Sequence, residues 1–525
     1  MARALKTRAS KQQYISTNQV IIPGFETPFH KHLNATNRWV VLSAKMPWDE
    51  LVNVYQKQMN NSKTGADGIN PRVVIGALII KHMCDLSDRE TVQQIQENMY
   101  MQYFLGFSSF SDEEPFDASL FVEFRKRLGT EQINAINQKI LQLSAERTKQ
   151  SVAAGKEGNP SVAAQVPEEQ KQTAKQRNEE VSVQKPAEVQ AAITHDGKLI
   201  VDATACPQDI SYPTDLNLLN DAREKTEELI DFLYSPLLHK KKPRTYRKVA
   251  RKLYLKTAQK KVKSKKEIRN AIKKQLGFLS RNIKNTHTLL AAYTTIPFNV
   301  HQHKYFLVVQ TLYDQQARMY KEKIHTIEHR IVSIHQPHVR PIVRGKTNAK
   351  VEFGAKINLS LVNGFAFLED LLWDAFNEGT RLIKTVEQYK ARLGHYPKEV
   401  LADKIYCNRA NRAKLKELGI VLVAKALGRP RAQSNLIRPG QRNPIEGKFG
   451  QAKTTYGMNR IKARLQQTSQ SWIATIIMVL NLVKLTGQVP FCLIQSLLSY
   501  SATGIKNLHF FLRRLATYNY AKMAI

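Results

Sequence analysis

Residues 199–205 read Leu199-Ile200-Val201-Asp202-Ala203-Thr204-Ala205 and follow a turn-forming His195-Asp196-Gly197-Lys198. An apolar, β-branched run that begins after a glycine turn predicts a strand. Aspartate is disfavoured in strands, and a carboxylate is costly to bury without a cation or hydrogen bonds. Asp202 is therefore a candidate functional residue. Metal ligation and a structural ion pair are both open explanations for it.

Further strands and helices follow this run in a definite order. Residues 351–361 alternate in polarity, and Asn363-Gly364 predicts a hairpin turn into a second strand at 365–368. The pattern then predicts a helix at 380–393, a strand at 399–402 that ends at Asp403, a helix at 408–418, a strand at 420–424 and a later helix that carries Glu446. This order predicts an α/β RNase H-like catalytic domain with a basic helical insertion after its first strand.

Charge is the strongest compositional signal. The chain has 80 Lys+Arg against 44 Asp+Glu and a formal net charge of +36. Such a field attracts polyphosphate, although ribosomal and membrane-surface proteins share the bias. Residues 240–274 hold 17 Lys/Arg and a single acid, Glu267. A run this one-sided predicts phosphate-backbone contact rather than a solvated helix face. The candidate DNA-binding residues are Lys240, Lys241, Lys242, Arg244, Arg247, Lys248, Arg251 and Lys252.

The N-terminal part is predicted to be helical over 47–146. Pro71 suits the first turn of one helix, and Ser87-Asp88-Arg89-Glu90 is a capping-box pattern for the next. Two helices that meet near 85–87 are compatible with a DNA-reading helix-turn-helix or with a plain helical bundle, and the bundle is the more common arrangement.

Composition sets the remaining boundaries. Residues 147–193 lack aromatics and are rich in polar residues, which predicts a solvated linker. The apolar stretch 472–485 predicts a buried helix too short to span a bilayer. No signal peptide is apparent, and the four scattered cysteines fit a reducing cytosol. The predicted segments are an N-terminal arm (1–46), a helical, DNA-binding domain (47–146), a flexible linker (147–193), the catalytic domain (194–215 and 341–470), the basic insertion (216–340) and a C-terminal helical segment (471–525).

Three carboxylates, Asp202, Asp403 and Glu446, form the candidate catalytic and metal site. Each has a plainer alternative when taken singly. An acid at a strand end often starts a turn, and Asn443-Pro444-Ile445-Glu446 matches an Asn version of the capping box. Taken together, two strand-end acids and one helix acid suit Mg2+ or Mn2+, with two ions able to serve phosphoryl transfer. Arg442 and Lys453 flank Glu446 and can grip phosphate.

At these motifs the sequence resembles the bacterial insertion-sequence transposases of the DDE type, in the group named after insertion sequence five. Residues 69–129 resemble that family's N-terminal domain. Val201-Asp202-Ala203-Thr204 with Tyr212-Pro213-Thr214-Asp215 resembles its first-Asp block, and Ala402-Asp403-Lys404-Ile405-Tyr406 its second. Arg442, Glu446 and Lys453 match the R, E and K of its Y-R-E-K signature.

The resemblance implies metal-dependent cleavage and joining of double-stranded DNA by a homodimer in the bacterial cytoplasm, associated with the nucleoid and with no membrane. It implies catalytic roles for Asp202, Asp403 and Glu446, with Arg442 and Lys453 assisting at DNA. The sequence departs from the signature at Pro439, where the Tyr would fall. Two rival functions are a catalytically silent DNA-binding protein and a nuclease of the same fold.

Two further patterns contain residue types that can bind metal. His325-Thr326-Ile327-Glu328-His329 matches a zinc-peptidase pattern, H-x-x-E-H, within a stretch predicted to be helical as far as Ile331. No third ligand accompanies it, so zinc chemistry is not favoured. The acids Glu369, Asp370, Asp374 and Glu378 are predicted to face solvent, with one of them a fallback metal ligand should Asp202 fail.

Overall fold

The computed structural model of the chain describes residues 14, 16, 28–57, 68–154, 194–343, 351–424 and 440–487. The predicted linker from 155 onward, Pro439 and the tail beyond 487 lie outside these ranges.

Helices make up the described N-terminal part. They are α1 (Pro28–His32), α2 (Arg38–Lys45), α3 (Trp48–Gln56), α4 (Pro71–Met83), α5 (Asp88–Glu97), α6 (Met99–Phe104), α7 (Phe121–Arg127) and α8 (Thr130–Ala154). Helical structure begins before 47 because the Asn37 side chain caps α2, whose Trp39 and Leu42 are buried. It also ends later than 146, because α8 continues to Ala154.

The capping box that opens α5 is confirmed. The Glu90 amide donates to Ser87 Oγ at 3.2 Å, and the Ser87 amide donates to Glu90 Oε2 at 2.7 Å. The preceding helix α4 is buried on every side, from Pro71 to His82. A helix enclosed all round belongs to a packed core. This burial favours the bundle over the helix-turn-helix for this pair of helices.

A mixed sheet carries the candidate carboxylates. Its strands are β1 (Lys198–Pro207), β2 (Arg340–Val343), β3 (Val351–Val362), β4 (Phe365–Leu372), β5 (Glu399–Leu401) and β6 (Val421–Val423). Strand β3 pairs antiparallel with β1, β2 and β4, whereas β5 runs parallel to both β1 and β6. The path β4-β3-β1-β5-β6, antiparallel and then parallel, is consistent with the predicted RNase H-like fold. The hairpin turn has φ of 51° at Asn363 and 78° at Gly364, which is why Asn-Gly suits it.

Helices α13 (Leu382–Leu393), α14 (Arg409–Glu417), α15 (Asn443–Thr454) and α16 (Gln466–Thr486) complete this part. Helix α16 joins the sheet to the N-terminal helices. Asn481 Nδ2 donates to Asn137 Oδ1 on α8 at 3.0 Å and to the Ala366 carbonyl on β4 at 2.7 Å. By length and composition α16 alone among the described helices could cross a membrane, but 83% of its apolar window is buried inside the protein. It is the buried helix predicted for 472–485, extended at its N-terminal end.

Four helices lie between β1 and β2: α9 (Asp215–Leu233), α10 (Arg247–Ala258), α11 (Lys265–Leu290) and α12 (Val300–Glu322). Helices α9 and α11 run in the same direction, with Leu219 near Leu276 at one end and Leu233 near Leu289 at the other. Helices α10 and α12 return toward the sheet. Helix α12 ends at Glu322, where Lys323 adopts φ of 58°, so the expectation of helix through Ile331 was wrong.

Candidate active site

Two of the three candidate carboxylates belong to neighbouring parallel strands, Asp202 within β1 and Asp403 directly after β5. Leu199 pairs with Val400 and Ile200 with Leu401. Continuing this register by two residues sets Asp202 level with Asp403, just past the end of β5. Parallel pairing therefore brings two acids that are 201 positions apart in the chain (403 − 202) to one edge of the sheet.

Arg442 spans these two acids. Its Nη2 donates to Asp202 Oδ2 at 2.9 Å, and its Nη1 donates to Asp403 Oδ1 at 3.1 Å. One guanidinium with two donors in a fixed plane suits two carboxylates presented side by side. Arg442 occupies the N-cap position of α15, so that helix is anchored to the sheet through the carboxylates themselves.

Burial gives Asp202 an unusual environment. It raises the pKa of the Asp202 carboxyl, and the nearby Glu378 and Asp403 charges raise it further. The Ala203 amide, 2.8 Å from Asp202 Oδ1, and the Arg442 guanidinium oppose this rise. A raised pKa that arises from burial beside a specific charge partner is a feature of functional sites.

Glu446 lies one turn beyond Arg442, in the first turn of α15, with its side chain exposed. The predicted capping box is wrong: Arg442 takes the N-cap position, and the Asn443 amide donates to the Gly440 carbonyl at 3.0 Å. A tight turn at Gly440, with φ of 87°, therefore starts the helix one residue earlier than predicted. No described side chain forms an ion pair with Glu446. Lys453 lies on the same helix, in its last turn.

The structure thus brings together Asp202, Asp403 and Arg442, but not Glu446. Across the described ranges no three His, Cys, Asp or Glu side chains come close enough to hold a metal ion. The Asp202–Asp403 pair has the right chemistry for Mg2+, which prefers a few carboxylate oxygens and completes its shell with water and phosphate. The pair therefore fits one side of a divalent-metal site.

The acids after the hairpin differ in their exposure to solvent. Glu369 is buried and pairs with Arg392 at 2.8 Å, and Asp370 is buried and pairs with Lys384 at 2.5 Å. The expectation that they face solvent was wrong for these two, because β4 continues through them to Leu372. Asp374 is exposed as predicted.

Glu378, one of the four acids that were expected to face solvent and to include a fallback metal ligand, is half-buried and lies near Asp202. It lies in a short 3-10 turn, pairs with Lys356 Nζ at 2.8 Å, and raises the pKa of both Asp202 and Tyr406. No motif identifies it, since its approach depends on the packing of the turn at 378–380 against the turn at 404–406.

The eight candidate DNA-binding cations of the insertion are all exposed. Some are neutralised within the protein: Lys242 and Arg247 both pair with Asp231, and Arg251 pairs with Glu224. Lys240, Lys241, Arg244, Lys248 and Lys252 have no acidic partner among the described residues. The four lysines of this set therefore carry positive charge that no described acid compensates.

The H-x-x-E-H pattern lies in a loop rather than in a helix, because α12 ends before it. The two histidines of such a site must share one helical face, so this stretch does not have the geometry of a zinc peptidase. His329 instead lies 3.3 Å from Asp374.

Replacing Arg442 with Ala is expected to lower the free energy of unfolding by about 1–2 kcal/mol, because it removes two charge-assisted hydrogen bonds and leaves neighbouring carboxylates to repel. Urea denaturation without divalent metal measures this. Arg460→Ala is the matched control. Its 3.0 Å pair with Asp209 is more exposed, so we expect a cost of about 0–1 kcal/mol. Equal costs for the two variants would mean that Arg442 is an ordinary surface pair.

Comparison with known proteins shows which protein families parts of this chain resemble. Residues 27–127 match the family described as "Transposase domain (DUF772)", and residues 400–483 match the "Transposase DDE domain". The second range includes Asp403, Arg442, Glu446 and Lys453.

The chain is also 31% identical over 122 residues to "Uncharacterized protein ORF8 in nfe locus" of Rhizobium meliloti. That alignment covers 23% of this chain and 55% of the relative, so the chain spans about half the length of the relative it matches. No solved structure matches. The two family matches, which together include the N-terminal helices, Asp403 and the helix of Glu446, support an insertion-sequence DDE transposase.

Proposed function

We propose that this protein is a DNA transposase of the group named after insertion sequence five. In this proposal it binds the terminal inverted repeats of its element, cleaves the phosphodiester at each end and joins the freed 3′-OH to target DNA. The observation that carries the proposal is that Arg442 spans Asp202 on β1 and Asp403, which follows the adjacent parallel strand β5. Glu446 lies one turn away on α15, and no described side chain forms an ion pair with it.

In this function Asp202 and Asp403 would hold divalent metal, Mg2+ or Mn2+, with Glu446 as a third ligand. When bound, two such ions activate a water nucleophile and stabilise the leaving oxygen. Arg442 has to release the carboxylates for this role. Its planar guanidinium can then take a phosphate oxygen pair of the DNA in their place. Lys453, on the same helix, would contact a second phosphate.

The chemistry consists of two balanced displacements at phosphorus. Water first attacks the phosphodiester at the element end, and the bond to the 3′ oxygen breaks, which leaves a 3′-OH. That hydroxyl then attacks a target phosphodiester, so one phosphorus–oxygen bond forms as another breaks. Because the second step exchanges one diester for another, it requires no ATP.

The rest of the molecule is assigned to DNA and to assembly. The N-terminal helices over 47–146 would read the ends, and the basic insertion would clamp the backbone of double-stranded DNA. We expect the protein to act as a homodimer on two ends, in the bacterial cytoplasm at the nucleoid. The abundance of cations gives a salt-dependent, sequence-independent share of this binding.

The test uses the purified full-length protein, Mg2+, duplex DNA taken from both flanks of the gene, and a target plasmid. We expect nicked ends and strands joined to the plasmid. Hydrolysis without joined products would favour the nuclease of the same fold, and binding without cleavage would favour the silent DNA-binding protein. Short inverted repeats on both flanks, with a target duplication, are the simplest supporting observation.

We expect a smaller salt dependence of DNA binding when Lys240, Lys241, Lys248 and Lys252 are changed together to Gln. The slope of the logarithm of the association constant for DNA against the logarithm of the salt concentration should fall in magnitude by up to about 3–4, since each phosphate contact contributes about 0.9. Fluorescence anisotropy over a salt series measures this. Lys398→Gln is the control. Lys398 is exposed and lies just before β5, at the other end of that strand from Asp403, so its replacement should leave the slope unchanged. An unchanged slope in the fourfold variant would exclude this surface from DNA contact.

A further inference from the structure

The end of the insertion farthest from the sheet exposes apolar side chains. This distal tip consists of residues 232–246 and 291–299, the connections at the far ends of the four helices. Leu237 is 95% exposed there, and the same end of the insertion carries the exposed apolar residues Phe232, Leu238, Ile296 and, at the start of α12, Val300. Apolar side chains exposed together at one end of a domain mark an interaction surface.

Hydrogen bonds fix the turn that carries Leu237. The Leu238 and His239 amides donate to the Ser235 carbonyl at 3.1 and 2.9 Å, which closes the turn. His239 Nε2 lies 2.9 Å from the Leu289 carbonyl at the end of α11. Tyr293 Oη donates to the Leu233 carbonyl at 2.6 Å. A side chain presented by a turn that is fixed at both ends loses little entropy on contact with a partner.

Positive charge follows this turn immediately. Lys240, Lys241, Lys242 and Arg244 are exposed, and of these Lys242 pairs with Asp231 at 2.8 Å. A two-fold contact between copies of the chain would bring the same cations face to face, which like-charge repulsion disfavours. A polyanion neutralises them instead. An apolar side chain amid cations matches the wedges with which proteins unstack and kink duplex DNA from the minor groove.

The position of the tip sets where such a wedge would act. Helix α9 begins at Asp215, close to β1, and runs 19 residues toward the tip, or about 28 Å at 1.5 Å per residue. At about 3.4 Å per base pair that length corresponds to roughly eight base pairs of duplex. A duplex that followed α9 from the carboxylates would meet Leu237 inside the element end.

We propose that the Ser235–His239 turn is a DNA wedge, in which Leu237 inserts between base pairs of the bound duplex while Lys240 and Lys241 neutralise the adjoining phosphates. The proposal deepens the proposed function and rests on it. In this proposal the length of α9 separates the distorted base pairs from the start of the insertion, so the wedge acts inside the element end. Leu237 is thus a DNA-distorting residue and has no part in the chemical step.

The experiment uses the full-length protein without divalent metal, and duplexes from the gene's flanks in which single adenines are replaced by 2-aminopurine. Fluorescence of this base rises when it unstacks, and anisotropy of an end label reports binding in the same sample. With the unaltered protein we expect a rise at one internal position. Leu237→Ala should remove most of that rise and weaken binding by about tenfold to a hundredfold, the value of one buried leucine side chain.

Val262→Ala is the matched control. Val262 is 88% exposed in another lysine-rich loop, between α10 and α11 at the opposite end of the bundle, and should leave the fluorescence unchanged. Leu237→Phe keeps an apolar wedge and should retain the signal. Binding without any rise, or a rise that Leu237→Ala leaves intact, overturns the wedge but not the transposase. Absence of binding to either flank counts against the proposed function itself.

Self-association is the remaining outcome. If sedimentation without DNA shows that Leu237→Ala converts a dimer to a monomer, the tip is a contact between copies and the wedge is wrong. If the oligomeric state is the same in both proteins while the fluorescence differs, the wedge is supported.

Discussion

Asp202→Asn is expected to lower the rate of DNA end cleavage by about a thousandfold or more, because it removes the carboxylate charge on which metal binding and transition-state stabilisation depend. Asn keeps the size of the side chain and one acceptor oxygen, so Arg442 retains a partner and the fold should persist. DNA affinity should remain within about threefold, a change of less than 1 kcal/mol. Single-turnover cleavage of flank DNA with Mg2+ measures the rate.

The control for this variant is Asp209→Asn. Asp209 lies just beyond the end of β1, the strand that carries Asp202. It is exposed and pairs with Arg460 at the protein surface. Its replacement tests whether any lost acid on this edge disturbs cleavage, and we expect a change of less than about twofold because surface pairs contribute little. If cleavage by Asp202→Asn persists at the normal rate while binding is unchanged, the assigned site is wrong.

Local patterns predicted the sheet well because its strands carry strong signals. The alternation over 351–361, the Asn-Gly turn and the apolar run before Asp202 each constrain only neighbouring residues, and each appears in the structure where it was expected. The positions of Asp202 and Asp403 relative to each other then follow from parallel pairing. Such inferences need only the period of the strand and the order of the elements.

Features that depend on packing were less predictable. Glu369 was expected to be exposed, but β4 continues past the predicted end and Arg392, 23 residues later, neutralises it. The start of α15 moved by one residue because Gly440, just before it, forms the turn. The contact of Arg442 with both aspartates joins residues 240 positions apart in the chain (442 − 202). No local pattern encodes such contacts, since they arise only when the helix packs on the sheet.

Glu446→Gln is expected to reduce cleavage by roughly a hundredfold to a thousandfold, in the range found when one charge-stabilising group is removed from an active site. The same variant should change the free energy of unfolding by less than about 0.5 kcal/mol, because the side chain is exposed and has no described partner. A capping glutamate would instead cost about 0.5–2 kcal/mol and leave the chemistry intact. Cleavage kinetics and urea denaturation of one preparation therefore separate the two roles.

Glu378→Gln is the informative comparison, since Glu378, like Asp403, raises the pKa of Asp202. Loss of its pair with Lys356 should cost about 1–2 kcal/mol of stability, because both partners are largely buried. Its effect on cleavage should be much smaller than that of Glu446→Gln. The reverse result, a silent Glu446→Gln with cleavage lost in Glu378→Gln, would make Glu378 the third carboxylate. The helix of Arg442 would then hold DNA without contributing a metal ligand.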